Sequence, residues 1–130
     1  MSIKEFAEKF IKAEEEAWQN GNFSALEALE DPDVIYHISP FPDLVGWEAH
    51  KQDIMGSRQA ISDIRQEFKY LAGDGNLFAL AYKSSGKITG EKPGVPLPIG
   101  KNIALDLLFV IRLNNNKIVE AWANGSLTVQ

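Results

Sequence analysis

The side chains least easily explained by packing alone are a histidine and an aspartate. His37 stands in the run Val34-Ile35-Tyr36-His37-Ile38, just ahead of Pro40 and Pro42. An imidazole with an ordinary pKa near 6.5 exchanges protons at physiological pH, so a histidine at a pocket mouth is a candidate general acid or base. It could equally line a cavity wall as a hydrogen-bonding group without catalysis. Asp106 interrupts the apolar run from Ile103 to Ile111. A carboxylate placed there either shares a polar face with Asn102 and Arg112, or is buried, where desolvation raises its pKa and makes it a candidate base. An unpaired buried carboxylate is costly, so a buried Asp106 calls for a partner, and His37 is the candidate. Asn124 shares strand parity with Trp122: the amide could hold a carbonyl or enolate oxygen, and the indole could stack on a flat ligand. Tyr36 and Tyr82 are further candidates for lining such a space. His50 and Arg58 read as a solvated surface or rim, and Trp18 as core.

Other chemistries lack their residues. There is no cysteine, hence no disulfide, thiolate ligand or cysteine nucleophile. The two histidines lie thirteen residues apart, outside any HxH or HExxH spacing, so no metal site is expected. No nucleophile-elbow serine, GxGxxG or phosphate-binding loop occurs, so no cofactor is expected either. The net charge of −5 argues against a nucleic-acid partner, which needs a concentrated basic face. No apolar run approaches the ~18 residues of a membrane helix, and the N-terminus lacks a signal-peptide apolar region, so the cytoplasm is the expected location.

The elements that would position these residues fit one domain over 1–130. The spacing predicts a first helix capped by Ser2 and Glu5, with Ile3, Phe6, Ala7, Phe10, Ile11, Ala17 and Trp18 on one face, ended by Gly21. Ser24 and Glu27 suggest a second capping box and a short helix stopped at Asp31-Pro32. A strand over 34–38 follows, then a proline loop and a third helix from about 46 to 59. From 61 onward the pattern is a meander of long strands: 61–72, the turn Gly73-Asp74-Gly75-Asn76, 77–89, a Pro/Gly loop, 103–113, Asn114-Asn115-Asn116, and 117–129. Helices first and strands afterwards favour α+β segregation. The expected architecture is a cone-shaped, curved antiparallel sheet, the 103–113 strand near its centre, with three N-terminal helices covering one face. Apolar residues on both faces of 78–81 and 107–111 leave a second face to be covered, so a homodimer is expected.

The chain also resembles the SnoaL-like polyketide cyclases, within the nuclear transport factor 2-like group. The resemblance rests on Gly94-Val95-Pro96-Leu97-Pro98-Ile99-Gly100-Lys101 before a strand ending in Arg112, and on Lys117-Ile118-Val119-Glu120-Ala121-Trp122. Ala17-Trp18, Tyr36-His37, Gly46-Trp47-Glu48-Ala49-His50 and Thr89-Gly90-Glu91 fit in the same order. The resemblance implies the cone fold over nearly the whole chain and a pocket for a small molecule. Cyclase members carry an acid four residues beyond the strand tryptophan, where this chain has Ser126. Two further family positions, usually a histidine and an acid, are Ile88 and Phe109 here.

Two functional readings follow. One is an acid–base isomerase, cyclase or hydrolase acting on a small hydrophobic carbonyl or cyclic substrate, with His37, Asp106 and Asn124 as catalytic groups and Tyr36, Tyr82 and Trp122 binding the ligand. The other is a non-catalytic ligand-binding or dimerisation module of the same fold, slightly favoured by Ile88, Phe109 and Ser126. His37, Asp106, Trp122 and Asn124 are expected to line one cavity, with Tyr82 as a further member.

Overall fold

Alternation along four long strands sets the architecture, seen in a computed structural model that describes residues 1–130. The strands are β3 (Ile61–Asp74), β4 (Leu77–Ile88), β5 (Asn102–Asn114) and β6 (Lys117–Val129), paired antiparallel in succession. On β4, Phe78, Leu80 and Tyr82 are buried, while Ala79, Ala81 and Lys83 face the other way. On β5, Ile103, Leu107 and Ile111 point to the same interior. Such a period of two puts one face of the sheet on a core and leaves the other open.

Three helices cover the inner face. α1 (Ile3–Asn20) begins with the expected capping box, Ser2 Oγ accepting from the Glu5 N–H at 3.1 Å, and ends at Gly21 with φ +68°. Its apolar stripe packs Phe6 and Phe10 against Phe78, with ring centroids 6.1 and 6.0 Å apart. α3 (Trp47–Ala60) buries Trp47, His50, Ile54 and Ser57, spaced to fall on one helical face. The short α2 (Ser24–Leu29) differs from expectation at its start: Phe23 occupies the cap, and the Ser24 hydroxyl donates to Asn22 Oδ1 (2.9 Å) instead of capping the helix.

Two features of the sheet go beyond the sequence reading. β1 spans Glu30–Ile38, beginning earlier than expected, and is joined by a two-residue strand, β2 (Leu44–Val45). The sheet order is β2-β1-β6-β5-β4-β3, with β5 near the centre, and β1 pairs with β6 in parallel. β1 and β6 are far apart in sequence, so no hairpin dictates their mutual direction. Irregular register in β3, between Ser62 and Arg65 and between Tyr70 and Ala72, marks bulges of the kind that bend a strand. The result is the α+β cone: a curved sheet with helices laid into its concave side. No helix is long and apolar enough to cross a membrane.

Candidate functional site

The concave side encloses a cavity of about 150 Å³. Its walls are mostly apolar, from Phe10 on α1 through Phe68, Leu107 and Phe109 on the sheet to Val95 and Leu97 in the loop after β4. One group of its polar side chains comes from α1, β1 and α3.

His50, 4% exposed, is the residue that joins that group. Its Nδ1 lies 2.8 Å from Glu30 Oε2, which also accepts from the Tyr36 hydroxyl at 2.8 Å. A hydrogen on Nδ1 therefore answers the Glu30 carboxylate, and in the neutral imidazole Nε2 carries the lone pair. Nε2 lies 3.9 Å from Glu14 Oε1. Glu14 Oε2 accepts from Trp18 Nε1–H at 2.9 Å, one helical turn along α1. The Tyr36 ring lies against the imidazole, with centroids 4.0 Å apart. Glu30, Tyr36 and the Nδ1 side of His50 thus form a fixed base, and Nε2 and Glu14 lie where the cavity begins.

Burial governs the charges here. It pushes the Glu14 carboxyl up to about 7, helped by the nearby charges of Glu30 and Asp53 and opposed by His50 and the Trp18 hydrogen bond. Burial also works to lower the His50 pKa, but the neighbouring carboxylates, Glu30 foremost, outweigh it and leave the imidazole above its usual value. Burial raises the Tyr36 hydroxyl well above the ordinary range, keeping it a donor. A second polar pair borders the first: Lys92 Nζ donates to Asp53 and to Ser57 Oγ (2.9 Å), bringing the loop after β4 down onto α3. Glu14, Glu30 and His50 offer one ligating atom each within 4.8 Å of one another, the spacing of a metal site. With Nδ1 already engaged by Glu30, the hydrogen-bonded part is Tyr36–Glu30–His50, and Glu14 stands 3.9 Å beyond it.

The expected convergence of His37, Asp106, Trp122 and Asn124 on this cavity does not occur. Tyr36 and Ile38 point inward, so His37, between them, points outward. There it stacks on Trp122 (5.8 Å, 24°), and its Nε2 and Nδ1 meet Glu120 (2.7 Å) and Asp43 (3.0 Å). Arg112 binds the other oxygen of Glu120 at 3.1 Å. Asp106 is exposed on the outer face opposite Ser126, and Asn124 is exposed opposite Leu108. The proposed pairing of Asp106 with His37 fails because β6 lies between their strands. Of the six residues singled out from the sequence, Tyr36 and Tyr82 line the cavity. His50, read as surface or rim, is buried in its wall, and Trp18, read as core, packs half-buried against the core and also lines the cavity.

Glu14 and His50 nevertheless had a sequence signal. Phe6, Phe10 and Glu14 are spaced by four along α1, which sets the acid in the apolar stripe. His50 shares the face of Trp47 and Ile54. Glu30, beside Asp31-Pro32, has no such signal.

No curated protein matches the sequence. Among solved structures, a SnoaL-like polyketide cyclase-type protein from Jannaschia sp. CCS1 superposes with a TM-score of 0.78 at 15% identity, over 95% of this chain and 88% of that one. TsrD from Streptomyces laurentii gives 0.78 at 14%, over 95% and 90%. A hypothetical protein from Catenulispora acidiphila with a ketosteroid isomerase-like fold, in complex with trimethylamine, gives 0.64 at 19%, over 91% and 85%. At these identities the likeness establishes the fold alone. The family model for SnoaL-like polyketide cyclases, however, matches residues 8–125. With nearly the whole cone inside that match, the chain belongs to the SnoaL-like polyketide cyclase family.

Proposed function

We propose that this chain is an acid–base enzyme for a small hydrophobic substrate bearing a carbonyl group, and that Glu14 and His50 are its proton-transfer pair. The observation that carries this reading is the line Glu30–His50–Glu14, buried and ending at an apolar cavity. His50 Nε2 takes a proton from the carbon beside the carbonyl, and the electron pair moves onto the carbonyl oxygen. Glu30, held by Tyr36, stabilises the imidazolium that forms. Glu14, which lines the same cavity 3.9 Å from Nε2, gives a proton to the same carbon or a neighbouring one, and the imidazolium proton restores it in the next turn. Its pKa of about 7 suits exchange near neutral pH. This role falls to α1 and α3, consistent with Ser126 standing on the outer face of β6 in place of the family's acid.

The test is hydrogen–deuterium exchange at the α-carbon of 1-indanone, followed by NMR in deuterated buffer. The wild type should exceed buffer alone, and Glu14→Gln or His50→Gln should lose roughly a hundredfold or more. A ketone that binds but exchanges no faster than in buffer would leave a ligand-binding module instead.

A second copy of the chain is the proposed partner. The outer face exposes Leu108 (58%), Val110 (40%) and Trp122 (40%) side by side on β5 and β6, next to the small Ala79 and Ala81 of β4. Covering such a patch by a two-fold-related sheet supports a homodimer.

A further inference from the structure

At the cavity wall formed by β3 and β4, the hydrogen-bond directions are settled by a single backbone carbonyl. Ile64 O can only accept, so the Gln19 side chain must present its Nε2 to it, at 3.2 Å. The second hydrogen on that nitrogen goes to Gln66 Oε1, at 3.4 Å. Gln66 therefore turns its own Nε2 to Tyr82, whose hydroxyl oxygen accepts at 2.8 Å. Reversing either amide would set donor against donor or acceptor against acceptor. With that lone pair of Tyr82 engaged, its O–H is left to donate elsewhere. The ring cannot swing away: it is 7% exposed and held between Phe68 (4.7 Å) and Phe109 (5.6 Å). Ser84, two residues along β4 and also lining the cavity, sets a second hydroxyl beside the phenol.

The two kinds of polar group in the cavity thus differ in what they offer. Glu14 and His50 take up protons, whereas Tyr82, itself hydrogen-bonded by Ser84, donates a hydrogen bond. We propose that Tyr82, aimed by Gln66 and Gln19 and assisted by Ser84, is the donor that fixes an acceptor oxygen of the ligand, so that the ligand is a neutral carbonyl compound held by its oxygen. This rests on the acid–base reading in one respect only: an oxygen anchored at Tyr82 is where the electron pair released by proton removal at His50 would collect.

The experiment compares binding of 1-indanone with that of indane, its analogue without the oxygen, by isothermal titration calorimetry. The wild type should prefer the ketone by roughly tenfold, the worth of one buried hydrogen bond. Tyr82→Phe should bring the ratio near one while indane affinity is retained. Gln66→Glu should do the same with the tyrosine in place, because a carboxylate only accepts and draws the Tyr82 O–H away from the cavity. A bulky role for Tyr82 would be insensitive to that second change, which also decides the matter if Tyr82→Phe does not fold. A wild type without preference, or a Gln66→Glu variant that keeps it, overturns the proposal. Ketone preference without exchange would sink the catalytic reading and leave the anchor standing; exchange with an unchanged ratio would do the reverse.

Discussion

Glu14 is ionised only at a cost, because folding moves its carboxyl from water to a site between Trp18 and His50. A carboxyl raised from 4.5 to about 7 is protonated in both folded and unfolded chains below pH 4.5. Between those values the folded state holds the proton more tightly, so stability falls as pH rises, and the loss is complete above about 7. His50 acts in the same sense: a raised imidazole stabilises fully below its unfolded value and loses that contribution as pH passes the folded one. Glu14→Gln should therefore gain on the wild type between pH 4.5 and 8 by on the order of 3 kcal/mol in urea unfolding. An equal offset at both pH values would show that Glu14 titrates like a surface acid. His37 offers a contrast on the outer face. The Glu120 hydrogen bond, and then Asp43, hold its pKa above 6.5 despite some desolvation. NMR titration should show Glu120→Gln lowering that value and Asp106→Asn leaving it unchanged.

Among the elements, the first helix was the most legible. Its capping box, its apolar stripe and Gly21 all stand where the pattern put them. Glu14 was missed because it opens the run Glu14-Glu15-Glu16, which looks like a solvated face although only its first member lies in the stripe. β1 was recognised as a strand, but its sequence did not say which parity faced inward. Tyr36 and His37 are neighbours, and a shift of one residue exchanges their faces. The β5–β6 pair shows how tightly the sheet is set. Gly125 lies opposite Leu107, and a Cβ there would run into the backbone carbonyl of Asp106. Gly125→Ala should destabilise the fold by about 1–3 kcal/mol, since the obstacle is backbone and cannot rotate away; thermal unfolding measures it.

At the scale of the molecule, helices cover one face of the sheet and leave apolar side chains on the other. If a second copy covers that face, light scattering should give twice the chain mass of 14.4 kDa. Leu108→Glu combined with Val110→Glu should reduce it to a monomer that still binds 1-indanone, because these side chains point away from the cavity. A monomeric wild type at micromolar concentration would count against the dimer.

The division between what sequence and tertiary structure decide follows from the range of the interactions. Capping residues, stripes spaced by three or four, alternation and turns are local, so helix order, the strand meander, the cone and its family were readable from the chain. The site is built from contacts between distant elements. Glu14 from α1, Glu30 at the start of β1 and His50 from α3 meet only after the helices lie in the concave sheet. The parallel pairing of β1 with β6 sets His37 beside Glu120, away from Asp106. Strand parity and crossing position are properties of the assembled sheet, and they turned the expected catalytic groups outward and an overlooked trio inward.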